Sequence, residues 1–400
     1  MKIRKNQIGV GCVSISAKAK RYVCKVLDTG RLSYGPFIKR FEETFAAAHG
    51  VRFAVMVNSG TSALEMAVAC LKETFSWKDG DEILCPAVTF VASSNVIIAN
   101  NLTPIFVDID PRTYNINPLE IEAKITKRTR AIMVVHLFGQ PAAMDHIMRI
   151  AKKHTLRVIE DSCETMFARY KGTSVGSFGD ISCFSTYVAH ILVTGVGGIA
   201  LTNNPQYAEQ LRSLANHGRD NIYISIDDDK DATGTNLKEV IARRFAFIRR
   251  GYSYRVTEME GALGCAQLEE HKPGIAKRKR NGAYFLKHLA EFEEHLQLPW
   301  NPECADHVFM MFPIVIKESS PIKKAELTHF LEMHNIETRD MLPLINQPFY
   351  VKMFGDLESA YPVARWVNHN GFYIASHQML SVADRAYIVS VFKEFFTSHP

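Results

Sequence analysis

A carboxylate closing one hydrophobic strand, a histidine closing another and a glycine turn opening a helix are the features of this 400-residue sequence best suited by type to chemistry. Asp161 follows the apolar run RVIE, where a carboxylate can hold a protonated heteroaromatic nitrogen or serve as a loop anchor. His136 ends IMVVH, and an imidazole there either donates to a ligand or completes an internal hydrogen bond. Gly60, Thr61 and Ser62 leave the buried run RFAVMV and begin a helix, so exposed amides, the Thr61 hydroxyl and the helix dipole can receive a phosphate. The turn has neither the GxxxxGK[ST] spacing of a P-loop nor the GxGxxG of a dinucleotide turn, so a plain helix cap accounts for it equally well.

These residues need rigid elements behind them, and the chain supplies alternating ones. RFAVMVNSG reads as strand and turn before the helix TSALEMAVACLKE; DEILCPAVTF precedes VASSNVIIANN, and TRAIMVVHLFG precedes MDHIMRIAKKH. TLRVIEDS, DISCFSTY and VGGIALTN add strands, the last leading into the helix PQYAEQLRSLANHG. Crossover helices imply a largely parallel sheet covered on both faces, hence a large α/β domain. After Glu258 a long helical stretch, MEGALGCAQLEEHKPGIAKRKRNGAYFLKHLAEF, joins it to a smaller α+β end containing VFMMFPIVI and DRAYIVSVFKEFF. The division expected is residues 1–260, a cofactor-binding domain with an N-terminal arm and a connecting excursion, and residues 261–400, a linker helix and smaller domain.

Composition narrows the function classes. With 47% hydrophobic and 10% aromatic residues the chain can bury a sizeable core, and a formal charge of +5 gives little reason to expect a nucleic-acid partner. The basic run Lys277 to Arg280 is expected to face water, and the acidic run Asp227 to Asp229 is read as solvated charge rather than a metal loop. Eight scattered cysteines without a CxxC pair argue against a disulfide scaffold and against a local metal centre. Polar residues interrupt the basic opening before a signal-peptide core can form, and no apolar stretch approaches the roughly 20 residues of a membrane span, so a cytoplasmic protein is expected.

Taken together, the motifs GRLSYGP, NSGTSALEMA, PAVTFVAS, VDIDPRTYNI, VVHLFGQPAAMD, VIEDSCETMFARYKG, GSFGDISCFST, GVGGIA, GYSYRVTEMEGALGCAQLE, INQPFY and GFYIASHQ occur in an order that resembles the DegT/DnrJ/EryC1/StrS family of nucleotide-sugar aminotransferases and related dehydratases. The resemblance covers nearly the whole chain. It implies the fold-type I fold of pyridoxal-phosphate-dependent transferases, with pyridoxal or pyridoxamine 5′-phosphate as cofactor. On it, Asp161 pairs with the pyridine nitrogen, Gly60, Thr61, Ser62 and Ser185 cradle the phosphate, Phe90 packs on the ring and Glu164 approaches the ring hydroxyl, where the aminotransferases often carry glutamine. It also implies a homodimer with shared active sites, in which GYSYR reaches the neighbouring cofactor phosphate. Ser253 replaces the usual asparagine of that segment, with Arg255 retained nearby.

The departure from the family pattern lies in STYVAHILVTGVGG. Counting back from GVGG puts His190 where the family's aminotransferases carry the lysine that holds the cofactor covalently, and no lysine occurs between Lys171 and Lys230. Imidazole cannot replace a primary amine. Histidine at this position resembles the 3-dehydratase branch acting on nucleotide-linked 4-keto-6-deoxyhexoses, in which the cofactor's own amine meets the C4 ketone and the histidine moves a proton and assists loss of the C3 hydroxyl. The segment 221–250 has no cysteine, so the iron–sulfur subclass is not expected, and glutamate is the expected amino donor. Arg255 and Arg339 are candidates for substrate phosphate or donor carboxylate. A PLP-dependent sugar aminotransferase with unusual cofactor handling and a non-catalytic regulatory homologue remain alternatives on the sequence alone.

Overall fold

The computed structural model describes residues 3–220 and 232–398, so the run Asp227 to Asp229 lies outside the described residues. Along the chain come strands β1 (Phe53–Val57), β2 (Glu82–Pro86), β3 (Thr103–Val107), β4 (Thr129–Val135) and β5 (Arg157–Asp161), a short hairpin of β6 (Arg169–Tyr170) and β7 (Thr173–Ser174), then β8 (Ile181–Ser185) and β9 (Gly198–Thr202). Seven of these make one sheet in the order β1-β9-β8-β5-β4-β2-β3. All its pairs are parallel except the two that β9 makes, with β8 and β1.

Both faces of this sheet are covered, and β4 shows how. Ala131, Met133 and Val135 point into one apolar cluster, shared with the helices Pro36–His49 and Gly60–Thr74, while Ile132 and Val134 point into another with Met144 and Ile147 of the helix Met144–Lys153. Side chains alternate across a strand, so a strand buried on both sides must be apolar throughout, which is why AIMVV has no polar position.

A second, antiparallel sheet of β10 (Leu296–Gln297), β11 (Met311–Ile316), β12 (Arg339–Asp340) and β13 (Gly371–Ala375) has the order β10-β11-β13-β12. Phe285, Leu327 and Phe392, from three helices, pack with Phe312 and Phe372 of this sheet in a separate apolar cluster. The N-terminal Ile8 joins that cluster and bridges to Ile336, so the start of the chain lies against the C-terminal unit.

Two sequence expectations change. The long helical stretch after Glu258 is two helices, Glu258–Glu269 and His271–Leu289, with Pro273 in the first turn of the second, where its missing N–H costs nothing. The run Lys277 to Arg280 does not face water as a block: Lys277 and Arg280 are exposed, but Arg278 is only 2% exposed and donates from its guanidinium to Met310 O at 2.8 Å. A helix turns about 100° per residue, so four consecutive basic residues cannot share one face, and the second of them falls on the buried side.

Candidate active site

A cavity of about 400 Å³ opens over the C-terminal ends of the sheet, between it and the C-terminal unit. Asp161, the last residue of β5, forms part of its wall. Ser93 Oγ donates to Asp161 Oδ2 at 2.7 Å, and the Cys163 N–H donates to Oδ1 at 3.2 Å, fixing the carboxylate plane. Ser93 is itself held by Thr89 at 2.8 Å.

Beside it, β1 runs out into the turn that opens the helix Gly60–Thr74. Ser59 caps this helix, its Oγ accepting the Ser62 N–H at 3.0 Å, and the Ser62 hydroxyl donates back to Asn58 Oδ1 at 2.7 Å. Ser62 is therefore spent on the cap and stands behind the cavity wall, which Ser59, Gly60, Thr61 and Ser185 form. Only glycine fits at position 60, since a Cβ there would lie 2.7 Å from Cys163 Sγ and 2.8 Å from Ser185 Cβ. The backbone thus comes close to the space where an anion meets the helix N-terminus. Phe90, at the N-terminus of the helix Val91–Ala99, is exposed into the cavity.

Glu164 faces Asp161 across the floor. It accepts the Phe138 N–H at 2.8 Å, a donor aimed there by a left-handed residue (φ 55, ψ 16) in the turn after β4. Burial pushes the Glu164 carboxyl up to about 7, the Phe138 N–H opposes that, and the Asp161 charge adds to it. Two neighbouring carboxyls in one cavity thus differ in environment, one fixed by a hydroxyl and an amide, the other shifted by burial so that it titrates near neutral pH.

His190 stands on the loop between β8 and β9, with its N–H donating to Tyr187 O at 2.9 Å. Thr186 and Thr194 pin the base of the loop with hydroxyls 2.6 Å apart. The ring lines the cavity, and its Nδ1 is buried without a hydrogen-bond partner. Burial, then the charge of Arg278, lowers its pKa to about 4 against a backbone contact with Cys163, so the imidazole is neutral at pH 7. Among the described residues no lysine or arginine lines the cavity. Lys171 is far from filling that role, being exposed and paired with Asp145 at 2.7 Å.

The other sequence candidates lie apart. Ser253 and Arg255 are exposed and outside this cavity; Arg255 donates to Ser253 Oγ and Asn216 Oδ1, each at 3.1 Å, and contacts His217 Nε2 at 3.0 Å. Their segment is tied to the phosphate turn from behind, where the Asn58 N–H donates to Tyr254 O at 2.8 Å. Arg339 is exposed on β12, paired with Glu337 and opposite Tyr373, a cavity residue. His136 has the structural role: Nδ1 accepts the Ala142 N–H at 3.0 Å and Nε2 meets Glu160 at 3.1 Å, with no solvent exposure. Sequence reasoning missed Ser59, Ser93 and Tyr373. The first carries a readable signal, a serine three residues before another at a strand-to-helix turn, while the other two reach the cavity only through tertiary contacts.

The family model for DegT/DnrJ/EryC1/StrS aminotransferases matches residues 13–393. The chain belongs to the DegT/DnrJ/EryC1/StrS family. Within it, GDP-perosamine synthase of Caulobacter vibrioides is 33% identical over 380 residues, covering 94% of this chain and 95% of that protein. GDP-4-keto-6-deoxy-D-mannose 3-dehydratase of Yersinia pseudotuberculosis is 31% identical over 363 residues, 89% of this chain and 90% of that one. A solved structure of the E. coli GDP-4-keto-6-deoxy-D-mannose-3-dehydratase with bound hydrated PLP superposes with a TM-score of 0.87 at 26% identity, covering 97% of this chain and 100% of that chain. The fold is thus the fold-type I fold of PLP-dependent transferases. The cofactor is pyridoxal phosphate or its pyridoxamine form. The residues present fit it, with a carboxylate for a pyridinium nitrogen and a close-approach glycine at a helix N-terminus for a phosphate.

Proposed function

We propose that the protein is a pyridoxamine-phosphate-dependent 3-dehydratase of a nucleotide-linked 4-keto-6-deoxyhexose, with glutamate as amino donor. The observation that carries this reading is a cavity wall with His190 and, among the described residues, no lysine. The chemistry that the pyridoxamine form supplies is a primary amine for the sugar ketone and a ring that takes up electrons.

This chain's residues do the rest. Asp161, held by Ser93 and the Cys163 N–H, keeps the ring nitrogen protonated. Ser59, Gly60, Thr61 and Ser185 would hold the phosphate with amides and hydroxyls, Phe90 would pack against the ring, and Glu164, raised to about 7, would serve the ring hydroxyl. His190, neutral and with an unpartnered nitrogen, is free to accept a proton and return it to the departing C3 hydroxyl. A doubly anionic phosphate needs cations that this cavity wall does not provide, which supports a homodimer in which Ser253 and Arg255 serve the neighbouring subunit's site. Arg339, outside the cavity wall but paired in register with the cavity residue Tyr373, is assigned to the anionic part of the substrate or to the donor carboxylate.

The test supplies purified protein with pyridoxamine phosphate, glutamate and a panel of GDP- and dTDP-linked 4-keto-6-deoxyhexoses. The expected product is one oxygen lighter, deoxygenated at C3 with its C4 ketone intact, accompanied by 2-oxoglutarate. A C4 amino sugar instead selects the aminotransferase reading, which the similarity to a GDP-perosamine synthase favours.

A further inference from the structure

Behind the His190 loop lies a second cavity, of about 160 Å³, well above the roughly 15 Å³ that a single water needs. Ile191 and Leu192, next in the chain to His190, form one wall; His271, Gly274 and Arg278 form another. The helix His271–Leu289 begins here and no side chain caps its first turn, so the positive end of its dipole lies at the cavity with at most the His271 and Lys272 N–H groups as end donors, Pro273 having none. A helix start alone makes no site. Arg278 adds an independent observation.

Arg278 is 2% exposed, and its guanidinium makes one hydrogen bond, from one terminal nitrogen to Met310 O. Its Nε is buried with no partner, and no carboxylate pairs with it among the described residues. Its titratable neighbours offer no counter-charge either. Burial keeps the Cys12 thiol protonated by raising its pKa, and holds both His377 and His190 down to about 4, hence neutral. Arg278 is itself lowered to about 10 by burial, which still leaves it charged at pH 7. Glu270 also lines the cavity, but it is half exposed and faces Lys18 at 3.7 Å. A buried guanidinium without an anion is costly, and the space beside it is open.

We infer that this second cavity is an oxyanion site, in which Arg278 and the N-terminus of the helix His271–Leu289 together bind a small carboxylate or phosphate. Lys277 and Ser16 line the same space and supply the outer donors.

The experiment titrates the cofactor-loaded protein by calorimetry with inorganic phosphate and, separately, with glutarate, which has no amine to donate. Sodium chloride at matched ionic strength is the control. One saturable site is expected, with its dissociation constant raised at least tenfold by Arg278→Gln and by Gly274→Phe. The second variant keeps the guanidinium and directs a ring into the cavity from a position where a Cβ meets only Gln378, at 3.8 Å, and a denaturation midpoint equal to the wild type's confirms that it folds. Preference for phosphate or for glutarate assigns the ligand class. Wild-type heats no larger than the chloride control overturn the inference. So does binding of equal affinity in Gly274→Phe, which would belong to the active cavity instead.

Discussion

Two histidines stand near the same sheet edge and share almost nothing else. His136 follows β4 with both ring nitrogens engaged, one accepting an amide and the other meeting Glu160, whose carboxylate also accepts the N–H groups of Gly176, Phe178 and Gly179 and the Ser182 hydroxyl. His190 sits on a loop, lines a cavity and keeps Nδ1 unpartnered. Satisfied polar groups in the interior stabilise and specify a fold, whereas a buried nitrogen without a partner costs stability, a cost that a ligand's hydrogen bond can offset. The adjacent carboxylates repeat the contrast: Glu160 is wholly enclosed by donors, while Asp161 receives a hydroxyl and an amide and stays open to the cavity.

The largest separation between the two histidines is expected in activity. His190→Asn should lower deoxygenation by about 10²–10⁴-fold, the usual range for a positioned acid–base group, with little change in folding stability. His190→Lys should permit covalent cofactor attachment while still impairing deoxygenation; full activity in either variant would return His190 to a passive role. His136→Ala should do the opposite. It breaks a buried pair and should cost about 3 kcal/mol, at the low end because four donors still serve Glu160, with turnover per folded molecule retained. Denaturant titration and rates on the folded fraction check both.

The sequence carries this contrast unevenly. β1, β4 and β9 are legible because strands buried on both faces read as apolar runs, β5 and β8 are legible despite Glu160 and Ser182 inside them because short apolar stretches still stand between turn signals, and His190 is legible through its register before GVGG in the family pattern, with no lysine nearby to stand in for it. β3 is not, since Pro104 and two polar-flanked ends disguise a strand that tolerates proline as the edge of the sheet. Nor does anything local mark the donors of Glu160, which come from a turn sixteen to nineteen residues downstream and from Ser182 on β8. Arg278 is hidden for a similar reason: it sits in a basic run whose ends, Lys277 and Arg280, are exposed, and only tertiary packing buries it.

A pH series sharpens the comparison further. Burial holds His49, His190 and His377 down to about 4 and His307 to about 3, below the ordinary 6.5. The unfolded chain therefore binds more protons than the folded one between these values, so the contribution is fully present above pH 6.5 and is lost as pH falls through about 4. The denaturation midpoint should decline over that window, and His190→Asn should make the decline shallower by removing one of the groups. An unchanged slope would mean that His190 is not buried as described. The smallest effect is expected for Ser93→Ala, which removes one donor to Asp161 and should weaken cofactor binding by about 1 kcal/mol, roughly fivefold, in a fluorescence titration.

The account rests on a cavity whose wall, among the described residues, holds no lysine to tether a cofactor. Protein saturated with pyridoxal phosphate, reduced with borohydride and mapped by peptide mass spectrometry tests that directly. No lysine should carry the cofactor in stoichiometric amount, whereas His190→Lys should acquire it at position 190. One equivalent per subunit on a lysine of the unmodified protein would contradict the central claim.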